Sequence, residues 1–404
     1  MKSPLPLQKL IDAKWLSRLR QDRSVRDALF VFLLTRILVF LIFIFVGSLR
    51  VDTIPNTPTP VREAFISFER VSIARQLRDT MWRADVAHYM DIARDGYLHA
   101  PFDVENAQSR KFAFFPLHPL LLWLLGHVTK DVMLAGAALA NFCFFLALVF
   151  LHKLTLAFGY DESTARRAIF YIAAFPVSYF FSVPLTESLF LLLTVASFYA
   201  AKREHWWAAG AIGMLAAATR VNGVLLVPAL LVLSWQMYRS FPARKFLGVL
   251  LIPVGLFAYM LYSWYLSGNA LAFSDAVRHW GRKPAFFLSG LFKYAIHPHQ
   301  VLEPWNPNLL NFASAILCFV AIYILLKRRE WTLAFYAAVS IVLPLSSGIL
   351  QSLDRYTLAF FPVFMALAIA ARTERMDQAI RFVFVILLGI MTALFAANYS
   401  AAVT

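Results

Sequence analysis

Apolar positions along this chain do not alternate with polar ones. They form long, almost uninterrupted runs. A helix needs about 20 mostly apolar residues to cross a bilayer, fewer where it is locally broken. The first run extends from Ala28 to Ser48, and others lie near 132–157, 168–182, 186–201, 206–220, 222–238, 246–266, 309–327, 331–348, 355–371 and 379–397. This pattern predicts an all-α polytopic membrane protein. Lys2, Lys9, Lys14, Arg18, Arg20, Arg23 and Arg26 precede the first run. The run is too long for a signal-peptide core and no small-x-small cleavage site follows it. Residues 1–27 therefore read as a basic cytoplasmic N-terminus before an uncleaved first helix, and 28–404 as one polytopic domain.

Short basic clusters punctuate the later runs: Arg166-Arg167, Lys202-Arg203, Arg239 with Arg244-Lys245, Lys327-Arg328-Arg329, and Arg372 with Arg375. The positive-inside rule assigns all five to the cytoplasm. Between clusters the chain must cross twice, so 168–201 and 206–238 each divide into two short helices, turning near Pro184 and Val221-Asn222. Ala113–Gly126 is apolar but short and carries Pro116 and Pro119. It reads as a re-entrant or interfacial helix on the outer side, because a crossing there would flip every later cluster. The expected result is about eleven crossings by the length rule, with the N-terminus inside and the C-terminus outside. Two outer loops are long, about 49–111 and 267–307. Loops beyond about 12–15 residues are usually functional or disordered, and both are rich in aromatic residues.

Composition agrees with the hydropathy. The chain has 404 residues, 60% hydrophobic and only 15% charged, against about 45–50% and about 25% in soluble domains. The net charge of +15 would suggest a nucleic-acid partner in a soluble protein. Here most of the excess falls on the cytoplasmic ends and loops, where it records orientation and attraction to anionic inner-leaflet lipids. The outer side is close to balanced, and no nucleic-acid partner is expected. Cys143 and Cys318 lie within apolar runs as packing residues.

The most informative stretch is Met81 to Tyr97, in the first outer loop. Read as a helix stopped by Gly96, it places Asp85, His88, Tyr89 and Ile92 on one face, with Asp91 and Asp95 on another. Asp85 then sits beside a His and a Tyr on a partly apolar face at the membrane, which suits a carboxylate that removes a proton. The plainer alternative is a helix cap or a solvated surface group, and Asp91 and Asp95 read that way. Arg220, Glu187, Asp354 and Arg355 stand at outer helix ends. Arg36 is inside the first run, where a charge is costly and usually partnered, unless it snorkels to headgroups. In the second loop His279, His297, His299 and Glu303 leave a divalent metal open. Trp280, Phe286, Phe287, Tyr294 and Trp305 suit interfacial anchors or a lipid groove.

The string R-x-D-x-x-H-Y-x-x-I-A-x-x-G-Y, from Arg83 to Tyr97, resembles the first-loop motif of the GPI mannosyltransferase 2 (phosphatidylinositol-glycan class V) family and its bacterial relatives. Further resemblances follow in order: Phe114-Phe115-Pro116-Leu117-His118-Pro119, Thr186-Glu187-Ser188-Leu189-Phe190, Ala217 to Gly223 (A-x-T-R-x-x-G), Trp280-Gly281-Arg282, and Arg355-Tyr356 with Phe361-Pro362. One departure stands out: the family carries Trp directly before the Asp, where this chain has Ala84, and its Trp is Trp82.

The resemblance implies a GT-C glycosyltransferase. The activity would be inverting transfer of mannose or a similar hexose from a polyprenyl-phosphate-linked donor to an acceptor hydroxyl of a glycan, lipid or protein, at the extracytoplasmic face of a bacterial inner membrane. Asp85 would be the catalytic base. Arg282 and Arg355, supported by Arg220, would hold the phosphate, since a guanidinium binds two oxygens at once. His88, Tyr89, Glu187, His279, Trp280 and Tyr356 complete the expected substrate-binding set, with no cofactor assigned and a divalent metal left open. A transporter or flippase of a polyprenyl-linked lipid is the alternative, although no internal repeat of the usual transporter kind is evident. A non-catalytic scaffold is a third.

Overall fold

The computed structural model describes residues 22–49, 72–240, 243–296 and 307–399, and among these every regular element is helical. The α-helices are α1 (Arg23–Ser48), α2 (Ile73–Met81), α3 (Val86–Asp95), α4 (Leu117–Thr129), α5 (Val132–Ala157), α6 (Glu162–Ala174), α7 (Glu187–Lys202), α8 (Trp206–Ala217), α9 (Leu226–Tyr238), α10 (Ala243–Val249), α11 (Ile252–Ser267), α12 (Ala272–Ala276), α13 (Ser289–Ile296), α14 (Pro307–Lys327), α15 (Trp331–Leu345), α16 (Leu353–Thr357), α17 (Phe361–Ala370) and α18 (Glu374–Ala396). Short 3₁₀ turns cover Ala107–Ala113, Ser178–Ser182, Val221–Leu225 and Val277–Trp280.

Six helices or near-continuous helical stretches are long and apolar enough to cross a membrane: 23–48, 132–157, 221–238, 247–267, 309–327 and 374–396. Shorter apolar helices, α8, α15 and α17, run beside them. The bundle is centred on α5, α6, α7 and α17, whose side chains are mostly buried. Apolar faces of α1, α11, α14 and α18 stay exposed, including Phe30, Phe45, Phe257, Tyr265, Tyr323 and Phe382. Such a belt fits a lipid surround, where apolar side chains lose nothing by facing outward.

The re-entrant expectation for 113–126 meets a bent pair: the 3₁₀ turn Ala107–Ala113 and α4 differ in direction by 99°. Both ends of α4 stay at one end of the bundle. The Leu117 amide donates to the Ala218 carbonyl at 3.2 Å, and Asp131, just past α4, pairs with Arg78 of α2.

Two sequence expectations are corrected. The run 168–182 is not one helix. Helix α6 ends at Ala174, and a 3₁₀ turn follows Pro176. The hook is Arg36 of α1, which does not snorkel. Its side chain is buried and donates to the carbonyls of Ala173 (2.9 Å) and Ser178 (2.7 Å) and to the hydroxyls of Ser178 (2.9 Å) and Ser182 (3.2 Å). The guanidinium therefore satisfies backbone groups that the break releases. Replacing Arg36 with Leu leaves those carbonyls buried without it. A loss of about 3 kcal/mol is expected, since bonds to charged groups are each worth about 1.5–3 kcal/mol. Thermal unfolding in detergent checks this, and an unchanged midpoint refutes it. The second correction concerns 81–97: α2 stops at Met81 and α3 starts only at Val86.

Candidate active site

The break between α2 and α3 aims Asp85. Arg83 is buried and donates to the Ala396 carbonyl at 3.0 Å, with its guanidinium 6.0 Å from the Phe395 ring centre, so the loop is pinned to the end of α18. Ala84 adopts a left-handed conformation, φ 51°, which L-residues other than Gly, Asn and Asp seldom hold. The chain thus turns sharply, and Asp85 becomes the residue before α3. An Asp there commonly caps the helix. This one makes no side-chain cap bond; its carboxylate reaches across the molecule to Arg355.

Arg355 lies in the five-residue α16. Asn311 Oδ1 accepts the Asp354 amide at 3.0 Å, and Asp354 Oδ1 accepts the Arg355 amide at 2.7 Å. The Arg355 side chain then bridges two acids. Nη1 donates to Asp85 Oδ2 at 2.6 Å and Nε to Glu187 Oε1 at 2.6 Å. Phe180 backs the guanidinium, 5.0 Å away. Glu187 opens α7, where the helix dipole favours an anion, and also accepts from Arg220 Nη1 at 3.3 Å. Side-chain exposure grades the chain of charges: Glu187 is 0% exposed, Arg355 7%, Arg220 17% and Asp85 29%. Asp85 is the accessible carboxylate of the pair.

Two cations flank Tyr356. Arg220 and Arg282 each place their guanidinium carbon 5.3 Å from its ring centre. Gly281, with φ 70°, closes the turn Val277–Trp280 and sets the direction of Arg282. Arg282 donates over a long 3.4 Å to the Gln351 carbonyl.

An aromatic wall adjoins the charges. His88 stacks on Phe114 at 4.8 Å and meets Trp280 at 6.1 Å. Tyr89 meets Phe114 edge-on at 5.0 Å and donates to Thr186 Oγ1 at 3.4 Å. Burial draws the His88 imidazole below the usual histidine range, with Asp85 and Asp91 pulling the other way. Burial raises the Tyr89 phenol above its ordinary range, so it stays protonated.

The fold thus gathers Asp85, Glu187, Arg220, Arg282, Arg355 and Tyr356 into one cluster, with His88, Tyr89 and Trp280 beside it. His279 stands apart from the cluster, 6.3 Å from Trp280 and with Arg110 and Glu105 as its charged neighbours. His297, His299, Glu303 and Trp305, and with them most of the second-loop metal set, lie outside the described residues. Asp91 and Asp95 pair with Arg94 at the surface. Sequence reasoning missed Phe180, Asn311 and the anchoring role of Arg83. Only Arg83 had a signal, as the first residue of the loop motif.

Residues 25–275 match the family described as Mannosyltransferase (PIG-V). The GPI alpha-1,6-mannosyltransferase 2 of Rattus norvegicus is 25% identical over 68% of this chain and 62% of its own length. The Mus musculus protein of the same name is 28% identical over 52% of this chain and 46% of its own length. The chain therefore spans about half the length of these curated relatives. Among solved structures, the Archaeoglobus fulgidus oligosaccharyltransferase in its apo form aligns with 93% of this chain and 56% of its own, at 14% identity and a TM-score of 0.48. With the family match covering more than half of its residues, this chain belongs to the PIG-V mannosyltransferase family.

Proposed function

We propose that this protein is an inverting mannosyltransferase of the GT-C type. It takes mannose or a similar hexose from a polyprenyl-phosphate carrier and passes it to an acceptor hydroxyl at the extracytoplasmic face of the membrane, in a bacterial inner membrane. The observation that carries this is the accessible Asp85 carboxylate held at 2.6 Å by a buried Arg355, beside two further arginines. Asp85 takes the acceptor proton. The acceptor oxygen bonds to the anomeric carbon as the carbon–oxygen bond to the lipid phosphate breaks. The phosphate leaves with the electron pair, towards Arg220 and Arg282, each 5.3 Å from the Tyr356 ring centre. Charge that grows in a sheltered site is best met by fixed donors already in place.

The roles divide by exposure. Arg355 is committed to two carboxylates and positions Asp85. Arg220 and Arg282 keep donors for a phosphate. Retention would need a second carboxylate as nucleophile, yet Glu187 and Asp354 are 0% and 5% exposed, so single displacement with inversion is favoured. The orientation is supported by the basic clusters. Lys202-Arg203, Arg239, Lys327-Arg328-Arg329 and Arg372 with Arg375 follow helices that lead away from Glu187, Arg220 and Arg355. By the positive-inside rule, the site then faces outward.

The test is a radiolabelled polyprenyl-phosphate mannose donor in proteoliposomes with an acceptor glycolipid. Release of free polyprenyl phosphate with matching acceptor labelling supports the transferase. Donor movement between leaflets without release supports a flippase instead. In the same assay Arg282→Gln is expected to lower donor kcat/KM by about 10- to 100-fold, the loss of one charged hydrogen bond. Surface Asp91→Asn should leave it unchanged. An unaltered Arg282→Gln would remove that residue from phosphate binding.

A further inference from the structure

At the opposite end of the bundle, three helices bring together a set of groups that the transfer chemistry does not use. Asp27 lies near the start of α1, His152 near the end of α5, and Glu162 opens α6. Asp27 is about 20 residues before Gly47, where an added Cβ would lie 3.0 Å from Thr80 Oγ1 near the site; at 1.5 Å per residue that is about 30 Å. His152 is 0% exposed, and its Nε2 is 3.3 Å from both Asp27 Oδ2 and Glu162 Oε2. Among the described residues, neither Nε2 nor Glu162 Oε2 meets a partner in good hydrogen-bond geometry. The ring nitrogen is thus equally close to the two oxygens.

We propose that Asp27, His152 and Glu162 form a divalent metal site, best suited to zinc, that clamps the ends of α1, α5 and α6. The spacing fits. Zinc bonds nitrogen and oxygen at about 2.0–2.2 Å, so neighbouring ligand atoms of a tetrahedron lie roughly 3.3–3.6 Å apart. All three candidate atoms lie within 4.8 Å of one another.

Charge fits as well. Among the described residues neither acid pairs with a lysine or arginine, and the adjacent Lys153 is taken by Asp22 at 2.7 Å. A neutral imidazole leaves two negative charges facing each other, and a dication balances them. Helix capping does not need Glu162, because Asp161 caps α6 through the Thr164 amide at 2.9 Å. Partial exposure of Asp27 and Glu162 (27% and 40%) gives an entry path and room for water as the fourth ligand.

The experiment uses the full chain in detergent, stripped with a chelator and titrated with zinc by calorimetry and with cobalt(II) by visible absorption. One equivalent of zinc per chain, intense tetrahedral cobalt bands and a raised melting temperature are expected. His152→Gln and the near-isosteric pair Asp27→Asn/Glu162→Gln should each weaken binding by roughly tenfold or more, since even outer partners of a metal are worth 10–100-fold. Asp91→Asn should bind as the parent does. Should His152→Gln not fold, the paired variant and the cobalt spectrum of the parent decide. No stoichiometric zinc, weak octahedral cobalt bands, or equal affinity in the paired variant overturns the site. These readouts do not depend on transferase activity.

Discussion

An Asp85→Asn variant is expected to insert and fold like the parent and to transfer sugar about 10³-fold more slowly. A positioned general base contributes typically 10²–10⁴-fold, and Asn has the size of Asp without its proton affinity. The substitution keeps an oxygen that can accept from Arg355 Nη1, now 2.6 Å from Asp85 Oδ2. The arrangement of Arg355 and Glu187 should therefore survive, and donor binding with it. Structural cost is small, because Asp85 is 29% exposed and partly exposed ion pairs are worth about 0–1 kcal/mol. The measurement pairs initial transfer rates in proteoliposomes with the melting temperature of the same preparation. Normal turnover would remove Asp85 from the mechanism. Lost turnover with an unchanged melting temperature assigns the defect to chemistry.

Much of this architecture could be read from residue order. Apolar runs marked the helices because a bilayer demands them, and the breaks near Pro184 and Val221-Asn222 fall beside the observed 3₁₀ turns. Asp85 was visible through its neighbours in the loop. Hydropathy could not see the end of α6, because it scores Ala173 and Ser178 by side chain. Their carbonyls bind Arg36, more than 130 positions earlier. Periodicity likewise carried a helix through Trp82 to Asp85, where the pinning of Arg83 to α18 and the left-handed Ala84 interrupt it. That turn also bears on the departure at Ala84. A bulky side chain is costly at positive φ, so the small residue suits the turn that aims the acid.

The candidate site was legible as a list but not as a set of contacts. Arg220, Arg282 and Arg355 look alike in sequence, each beside a helix end. Among the described residues they differ in what the fold places against them: two carboxylates for Arg355, a longer contact to Glu187 for Arg220, a backbone carbonyl for Arg282. Such pairings span 33 to 270 positions, far beyond the reach of local spacing. Burial decides them, and burial is a tertiary property.

The pairing of Glu187 with Arg355 yields the largest expected effect on stability. Arg355→Met removes the shorter of the two cationic contacts described for a carboxylate that is 0% exposed, and strands it with Arg220 at 3.3 Å. Breaking a buried ion pair from one side costs about 3–5 kcal/mol, because the remaining charge is dehydrated without compensation. Removing the charge from both sides is far milder. Glu187→Gln in the Arg355→Met background should therefore recover a large part of the loss, with a coupling of about 1–3 kcal/mol. Activity should not return, since in either background Asp85 lacks the guanidinium that aims it. Unfolding midpoints of the parent, both single variants and the double variant measure the coupling, and transfer assays on the same proteins read the second half. Additive stability losses would mean that the pair does not act as a unit. A double variant that regains both stability and turnover would show that Arg355 only neutralises Glu187 and leaves Asp85 to orient itself.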